Sequence, residues 1–277
     1  MKLRSRVLAL SAISSVAVAL VAITVPSGSA GAATAASNPS GMNIPGPIAG
    51  YKTVFWDDFS GTSVNATKWI TYTGRPANDS LGNWLPSHDV VSGNALHIKG
   101  YRVKGSNGKT LFTTGGLRQR VGKTYGEYLV RARVAAGQGV AFIAMLWPAS
   151  NTWPPEMDFA EDNGLPTRTM LNTTVHWKSA TKTNAQKSLR YSGTIHTTGW
   201  HTYGIIWSKG KVQYVLDGHI WGTLTSTTAV IASVPMTLAI QTQAWNCKQE
   251  TWEYCQTTAT PLNVNMDIDW VAYYAKS

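Results

Sequence analysis

Glu156, Asp158 and Glu161 stand two and three positions apart in the run Trp-Pro-Pro-Glu-Met-Asp-Phe-Ala-Glu-Asp (153–162), with Asp162 directly after them. Four of the fourteen acidic residues thus occupy seven positions, in a chain whose formal net charge is +10. Carboxylates held this close repel one another, so a fold that gathers them loses stability and has a chemical use for the cluster. Work on a glycosidic bond is such a use: one carboxylate attacks the anomeric carbon while a carboxylic acid protonates the leaving oxygen.

On a β-strand the side chains alternate, so Glu156 and Asp158 share one face and Met157 and Phe159 the other. Strict alternation would turn Glu161 toward the apolar side. A one-residue bulge at Phe159-Ala160 restores the phase and returns Glu161 to the row of Glu156 and Asp158. The two glutamates then match the roughly 5–5.5 Å carboxyl separation of retaining glycosidases. Asp158 between them is expected to share a proton with a neighbour, because adjacent like charges do not all ionise together. Its role would be to tune the nucleophile and keep the acid protonated near neutral pH. Two other readings stay open at this point, a solvated strand edge and a calcium site built from the same oxygens. A calcium loop would draw on Gly, Asn and carbonyls, whereas here apolar residues alternate inward.

The elements that must carry this row are strands. After residue 50, short β-branched and aromatic runs are separated by turn residues, and helical periodicity is hard to find. Ser92-Gly93-Asn94 precedes Leu96-His97-Ile98-Lys99, Asn107-Gly108 lies between His97–Val103 and Thr110–Thr114, and Asp217-Gly218 separates Val212–Leu216 from His219–Leu224. These are hairpin spacings. Tyr128, Val130, Ala132 and Val134 alternate with Leu129, Arg131 and Arg133; Met266, Ile268 and Trp270 alternate with Asp267, Asp269 and Val271. The pattern predicts an all-β protein of two stacked antiparallel sheets. Of twelve tryptophans, Trp56, Trp69 and Trp270 sit in strand-like patterns and are expected in the core. Trp84, Trp147, Trp153, Trp245 and Trp252 sit in loop-like or strand-end contexts, where a face for sugar rings and core packing are both open.

Lys2, Arg4 and Arg6 followed by an apolar run from Val7 to about Val25, and then by small residues with Ala33-Thr34-Ala35, read as an export signal over 1–35. An uncleaved membrane anchor is the other reading of a run this long. Cleavage would lower the formal net charge from +10 to +7 on about 240 residues, a length that suits one sandwich or barrel domain over 51–277. Residues 36–50, rich in Pro, Gly, Ser and Asn, are expected as a flexible linker or N-terminal lead-in. The expected product is secreted, extracellular and monomeric, with no stable membrane association. Lys and Arg are scattered with no run of five, which argues against a nucleic-acid partner. Cys247 and Cys255, in an exported chain, are expected to form a disulfide. Their spacing does not suit zinc, and no metal ligand set is expected from it.

The Glu-x-Asp-x-x-Glu stretch resembles the signature of glycoside hydrolase family 16, in its bulged subgroup of laminarinase-, agarase- and carrageenase-like enzymes. The resemblance extends to Phe55-Trp56-Asp57-Asp58-Phe59-Ser60-Gly61 with Trp69, to Thr114-Gly115-Gly116-Leu117 through Tyr125-Gly126-Glu127-Tyr128 with Arg131 and Arg133, to Ala141–Pro148, to Trp200-His201-Thr202-Tyr203 with Trp207, and to Ile268-Asp269-Trp270-Val271. It implies a concanavalin-like β-jelly-roll sandwich with a cleft across the concave sheet, and endo-acting, retaining hydrolysis of a β-linked polysaccharide, foremost a β-1,3- or β-1,3-1,4-glucan. It also implies Glu156 as nucleophile, Glu161 as general acid/base, Asp158 as the assisting carboxylate, and Trp147, Trp153, His176 and Trp245 as cleft residues. His176 has a bland alternative as a satisfied strand histidine. No cofactor is required; a structural calcium is compatible, with Asp269 as the position to inspect. Two departures stand near the cleft. Pro154-Pro155 precedes Glu156 where many relatives carry Gly, and Gly116 stands where many carry Arg. A transglycosylase with the same site, and a lectin on the same sandwich without turnover, are the alternative functions.

Overall fold

Turn chemistry and alternation set the framework. Gly93-Asn94 and Asp217-Gly218 all have positive φ (58°, 59°, 48° and 82°), the left-handed conformation that two-residue hairpins require and that Gly, Asn and Asp tolerate. The computed structural model describes residues 38–76, 82–106, 108, 110–245 and 254–277, all within the unit Ala36–Ser277. The expected export signal, Asn107 of the second hairpin, Cys247 of the expected disulfide and Trp252 lie outside the described residues. Among the described residues no helix is long and apolar enough to cross a membrane.

In chain order the strands are β1 (Tyr51–Asp57), β2 (Trp69–Thr71), β3 (Asp89–Ser92), β4 (Ala95–Lys104), β5 (Thr110–Thr113), β6 (Gly116–Gln119), β7 (Gly126–Val134), β8 (Val140–Pro148), β9 (Glu156–Glu161), β10 (Asn172–Trp177), β11 (Ala185–Arg190), β12 (His201–Ser208), β13 (Lys211–Leu216), β14 (His219–Thr225), β15 (Met236–Ala244) and β16 (Asn263–Lys276). A single 3₁₀ turn, Pro86–His88, is the one helical element among the described residues. One sheet runs β14-β13-β12-β7-β16-β4-β3, with β1 also on β16 and β5 also on β4; the other runs β11-β10-β9-β8-β15-β6-β2. The named pairings are antiparallel. The architecture is a two-sheet jelly-roll sandwich.

The sheets meet over one large core that includes Tyr128, Val130 and Ala132 of β7, Phe142, Ala144 and Leu146 of β8, and Met157 and Phe159 of β9. Burying a side chain the size of Met157 or Phe159 contributes about 1.5–3 kcal/mol, which anchors the register of β9. The opposite face of β8 and β15 carries a second, smaller cluster, Ala141, Ile143, Met145, Ala239 and Trp245, with Tyr72 and Trp147 against it.

Two tryptophans depart from the sequence pattern, each through a register shift. On β16 the pairing with β7 slips between Ile268 and Trp270. Met266, Ile268, Val271 and Tyr273 therefore face the main core, while Trp270, Ala272 and Tyr274 pack on the opposite face with Leu129. Trp270 is buried, as expected, but on the side opposite Met266 and Ile268. Residues 38–50 cover that side. Ile44 joins the cluster, Trp270 Nε1 donates to the Met42 carbonyl at 2.9 Å, and the Tyr274 hydroxyl donates to the Pro45 carbonyl at 2.5 Å. On β1 the pairing slips between Thr53 and Phe55. Phe55 turns inward and meets the Trp69 ring edge-on at 5.6 Å, leaving Trp56 49% exposed beneath the Lys68 ammonium at 5.1 Å. Trp56 is thus no core residue. Trp69 is, and its Nε1 donates to Asp57 Oδ2 at 2.7 Å.

Candidate active site

β9 pairs with β8 through Met157 opposite Leu146 and Asp158 opposite Met145, then Ala160 opposite Ala144 and Glu161 opposite Ile143. Phe159 is the extra residue, and the β10 side shows the same slip, with Thr174 opposite Asp158 and Asn172 opposite Glu161. This bulge lets Met157, Phe159 and Ala160 enter the core while Glu156, Asp158 and Glu161 line a common groove. The groove has a volume of about 1550 Å³, beyond the ~300–1,000 Å³ of a small-ligand cleft.

The groove crosses the strands. On one side of β9 it is lined by Asn172, Thr174 and His176 of β10 and Gln186, Ser188 and Arg190 of β11, all polar; on the other by Ile143, Met145 and Trp147 of β8, Gln241 and Gln243 of β15, Arg118 of β6, and Trp245, Tyr72 and Trp84. The four cleft residues expected from sequence, Trp147, Trp153, His176 and Trp245, all line it. Their settings differ. Trp153 is 40% exposed and its Nε1 donates to Glu156 Oε2 at 2.5 Å. Trp147 is half-buried and donates to Asn151 Oδ1 at 2.8 Å. Trp245 is buried in the floor cluster. Trp84, for which a sugar face and core packing were both open, lines the groove as well. Tyr72, Arg118, Asn184 and the two glutamines had no sequence signal beyond residue type, because the pairing that brings β2, β6, β11 and β15 to one face joins segments far apart in the chain.

The three carboxyl groups feel unlike surroundings. Asp158 is 2% exposed; burial first, and then the charge of Glu156 and a hydrogen bond with it, hold its carboxyl well above the usual carboxylate range. Burial first, and then Asp158 and Glu156, also push Glu161 well up, while His176 works in the opposite sense. His176 Nε2 stands 3.4 Å from Asp158 Oδ2. Its Nδ1 lies 2.9 Å from Asn184 Oδ1, which fixes the ring between β10 and the Asp158 carboxyl.

A carboxyl that is harder to ionise in the fold than in the unfolded chain weakens the fold at high pH. The native state then holds more protons than the unfolded state, so stability is fullest below the ordinary carboxylate pKa and falls as pH rises through the raised one. Asp158→Asn is therefore expected to raise the melting temperature above pH 6, with the gain shrinking toward pH 3. Thermal unfolding of both proteins across that range checks it, and an equal shift at both ends would refute the burial of an ionisable group at Asp158.

Asp162, the fourth acid of the run, has a separate place. It is fully buried with Arg168, whose Nη1 donates to Asp162 Oδ2 at 2.5 Å. The amides of Phe142 and Gly164 donate to Oδ1 at 3.2 Å each. Arg168 spends its other hydrogens on the carbonyls of Ala135 and Gly137. Asp162 faces inward beneath the site and is structural.

Donor atoms of Glu156, Asp158 and His176 lie within 4.8 Å of one another, the one group of three metal-capable side chains found among the described residues. The Trp153 N–H engages Glu156 Oε2, while Asp158 Oδ1 is buried without a hydrogen-bond partner. At Asp269, the position noted for calcium, Oδ2 accepts from both the amide and the hydroxyl of Ser40. Two donors aimed at the oxygen are the reverse of a cation's coordination shell, so this arrangement does not fit calcium.

Known proteins share this fold. A solved laminarinase catalytic domain from Thermotoga maritima MSB8 is similar in fold, with a TM-score of 0.70, 18% identity, and coverage of 82% of this chain and 99% of that one. An endo-beta-1,3-glucanase from Pyrococcus furiosus has a TM-score of 0.70 at 19% identity, covering 84% and 99%. In sequence, the endo-1,3-1,4-beta-glycanase ExsH of Rhizobium meliloti (strain 1021) is 26% identical over 148 residues, 53% of this chain and 27% of that protein. The keratan-sulfate endo-1,4-beta-galactosidase of Sphingobacterium multivorum is 22% identical over 178 residues, 61% and 42%. The chain thus spans less than half the length of these two relatives. The model of glycosyl hydrolases family 16 matches residues 83–272, a stretch that takes in the three groove carboxylates, the bulge between them and the strands from β3 into β16, and the chain belongs to that family.

Proposed function

We propose that the protein is a secreted, endo-acting, retaining glycoside hydrolase of a β-linked glucan with β-1,3 or mixed β-1,3-1,4 linkages. The observation that carries this reading is the β9 bulge, which brings Glu156, Asp158 and Glu161 to one groove face with Met157 and Phe159 beneath them. A groove that crosses the sheet past the carboxylates on both sides suits cleavage within a chain. Relatives named as an endo-1,3-1,4-beta-glycanase and a glucan endo-1,3-beta-glucosidase support the substrate class.

In this mechanism Glu156, oriented by the Trp153 N–H, attacks the anomeric carbon and forms a glycosyl ester as the bond to the leaving oxygen breaks. Glu161, kept protonated by burial and by its acidic neighbours, gives that oxygen its proton. It then takes a proton from the water that opens the ester, and the configuration is retained. Asp158 keeps a proton within the row, with His176 and Asn184 behind it. Residues 1–35 would direct export, and a Cys247–Cys255 bridge would close a small loop.

Reducing-end release from laminarin, lichenan, xyloglucan, agarose and carrageenan tests the substrate. Activity on laminarin or lichenan is expected, and activity confined to agarose or carrageenan would overturn the glucan assignment. Products longer than the substrate would mark a transglycosylase. Proton NMR of fresh product should show the β-anomer first; an initial α signal would contradict retention. Because Glu161 must donate a proton, kcat/KM is expected to fall on the alkaline side as its raised pKa is crossed. Glu161→Gln should remove that limb, and an unchanged alkaline limb would deny Glu161 the acid's role.

A further inference from the structure

We infer that Arg118, with the Tyr72–Trp84 pair, forms a distal sugar-binding subsite that clamps neighbouring hydroxyls of the third sugar from the cleaved bond. This deepens, and rests on, the glycan-hydrolase reading above. Three observations carry it. First, Arg118 projects from β6 into the groove, half-buried, and its guanidinium makes no hydrogen bond or ion pair among the described residues. A planar guanidinium presents its donors in a fixed fork, and here those donors are held at the groove by no protein acceptor, so the neighbouring hydroxyls of a sugar can replace the water on them.

Second, the absence of a side chain at Gly116 creates this pocket. A Cβ there would stand 2.7 Å from Tyr72 Cδ2 and 2.7 Å from Gln241 Cβ, so glycine is what admits the tyrosine ring to the groove floor. Tyr72 and Trp84 hold each other at 4.8 Å between ring centroids, and Trp84 is pinned by its Nε1 hydrogen bond to the Thr242 carbonyl at 3.1 Å. An aromatic wall beside a forked donor suits a pyranose, which has an apolar face and equatorial hydroxyls at its edge. The guanidinium two residues along the same strand face stands where an arginine at position 116 could not, since Tyr72 occupies that space.

Third, the distance fits a particular sugar. The sheet order places β8 and β15 between β9 and β6, three strand steps of ~4.8 Å each, or about 14 Å. A β-linked pyranose advances by nearly one strand spacing, so the third sugar counted from the bond over β9 reaches Arg118. On the opposite side only β10 and β11 remain, so the β6 side is the longer arm.

The test measures kcat/KM for wild type, Arg118→Ala and Gly116→Ala on β-1,3 and mixed-linkage gluco-oligosaccharides of increasing length, with cleavage positions read by mass spectrometry. Wild-type efficiency should step up when a substrate can place three sugars on the longer arm. Both variants should lose about tenfold to a hundredfold of that step, mainly through KM, and cut closer to the chain end. Arg118→Lys should recover little of it, because the point charge lacks the fork. An equal loss at every length, or no loss at any, would overturn the subsite while leaving the catalytic reading intact. If the wild type cleaves no polysaccharide or oligosaccharide at all, both fall together.

Discussion

Glu156→Ala is expected to lower hydrolysis by a factor on the order of 10⁴ or more while leaving polysaccharide binding and the melting temperature close to wild type. The size follows from the role. Without an attacking carboxylate no glycosyl ester forms, and the remaining groups supply only binding and a proton. The specificity follows from the position. Glu156 lies at the start of β9, half-buried and facing the groove, so its removal opens no hole in the main core, and its neighbours Met157 and Phe159 keep the strand seated. Affinity electrophoresis in substrate gels alongside a reducing-sugar assay separates the two effects. Hydrolysis that survives in this variant would refute Glu156 as the nucleophile, whereas a wild type that binds polysaccharide without hydrolysing it would favour the lectin alternative.

The second large effect concerns stability. Arg168→Ala is expected to cost about 3–5 kcal/mol, because it strands the Asp162 carboxylate in the core without its cation. It also frees the carbonyls of Ala135 and Gly137 that the guanidinium satisfies. Burial pushes the Asp162 carboxyl up and Arg168 is the main group pulling it back, so loss of the arginine leaves the acid neutral or unfolds the segment around it. Denaturant unfolding should show a lower midpoint with an unchanged slope. The double replacement Asp162→Leu with Arg168→Met should recover much of the loss, since an apolar pair of similar volume avoids the stranded charge. A single variant as stable as wild type would contradict the burial of this pair.

The parts of the molecule legible in the sequence were those governed by local rules. The hairpins at Gly93-Asn94 and Asp217-Gly218 follow from residues that accept positive φ, and the β9 bulge follows from the need to keep Met157, Phe159 and Glu161 each on a fitting face. The same reasoning misplaced Trp270 because a second irregularity, at Asp269, has no compositional mark: Trp and Val are equally welcome inside, and only the lead-in at 38–50 makes a buried site on the outer face. Trp56 was misread for the matching reason, since a slip at Thr53 exchanged it with Phe55. Asp162, counted in the acidic cluster but given no role from sequence, is the inward partner of Arg168, six positions on and reachable only after the chain turns back. Arg118 and Tyr72 stayed silent because a groove wall is assembled by strand order, which alternation alone does not encode.

The apolar layer beneath the groove is set apart from the main interior, with Ala141, Ile143, Met145, Ala239 and Trp245 on one face of β8 and β15 and the large core on the other. On the proposed function, replacements on the outward layer are expected to alter which glycan rests there while leaving the contacts of the main core in place. Recognition can therefore drift by single amino-acid changes while the scaffold and its chemistry persist, which makes this floor the natural place to engineer a new substrate preference.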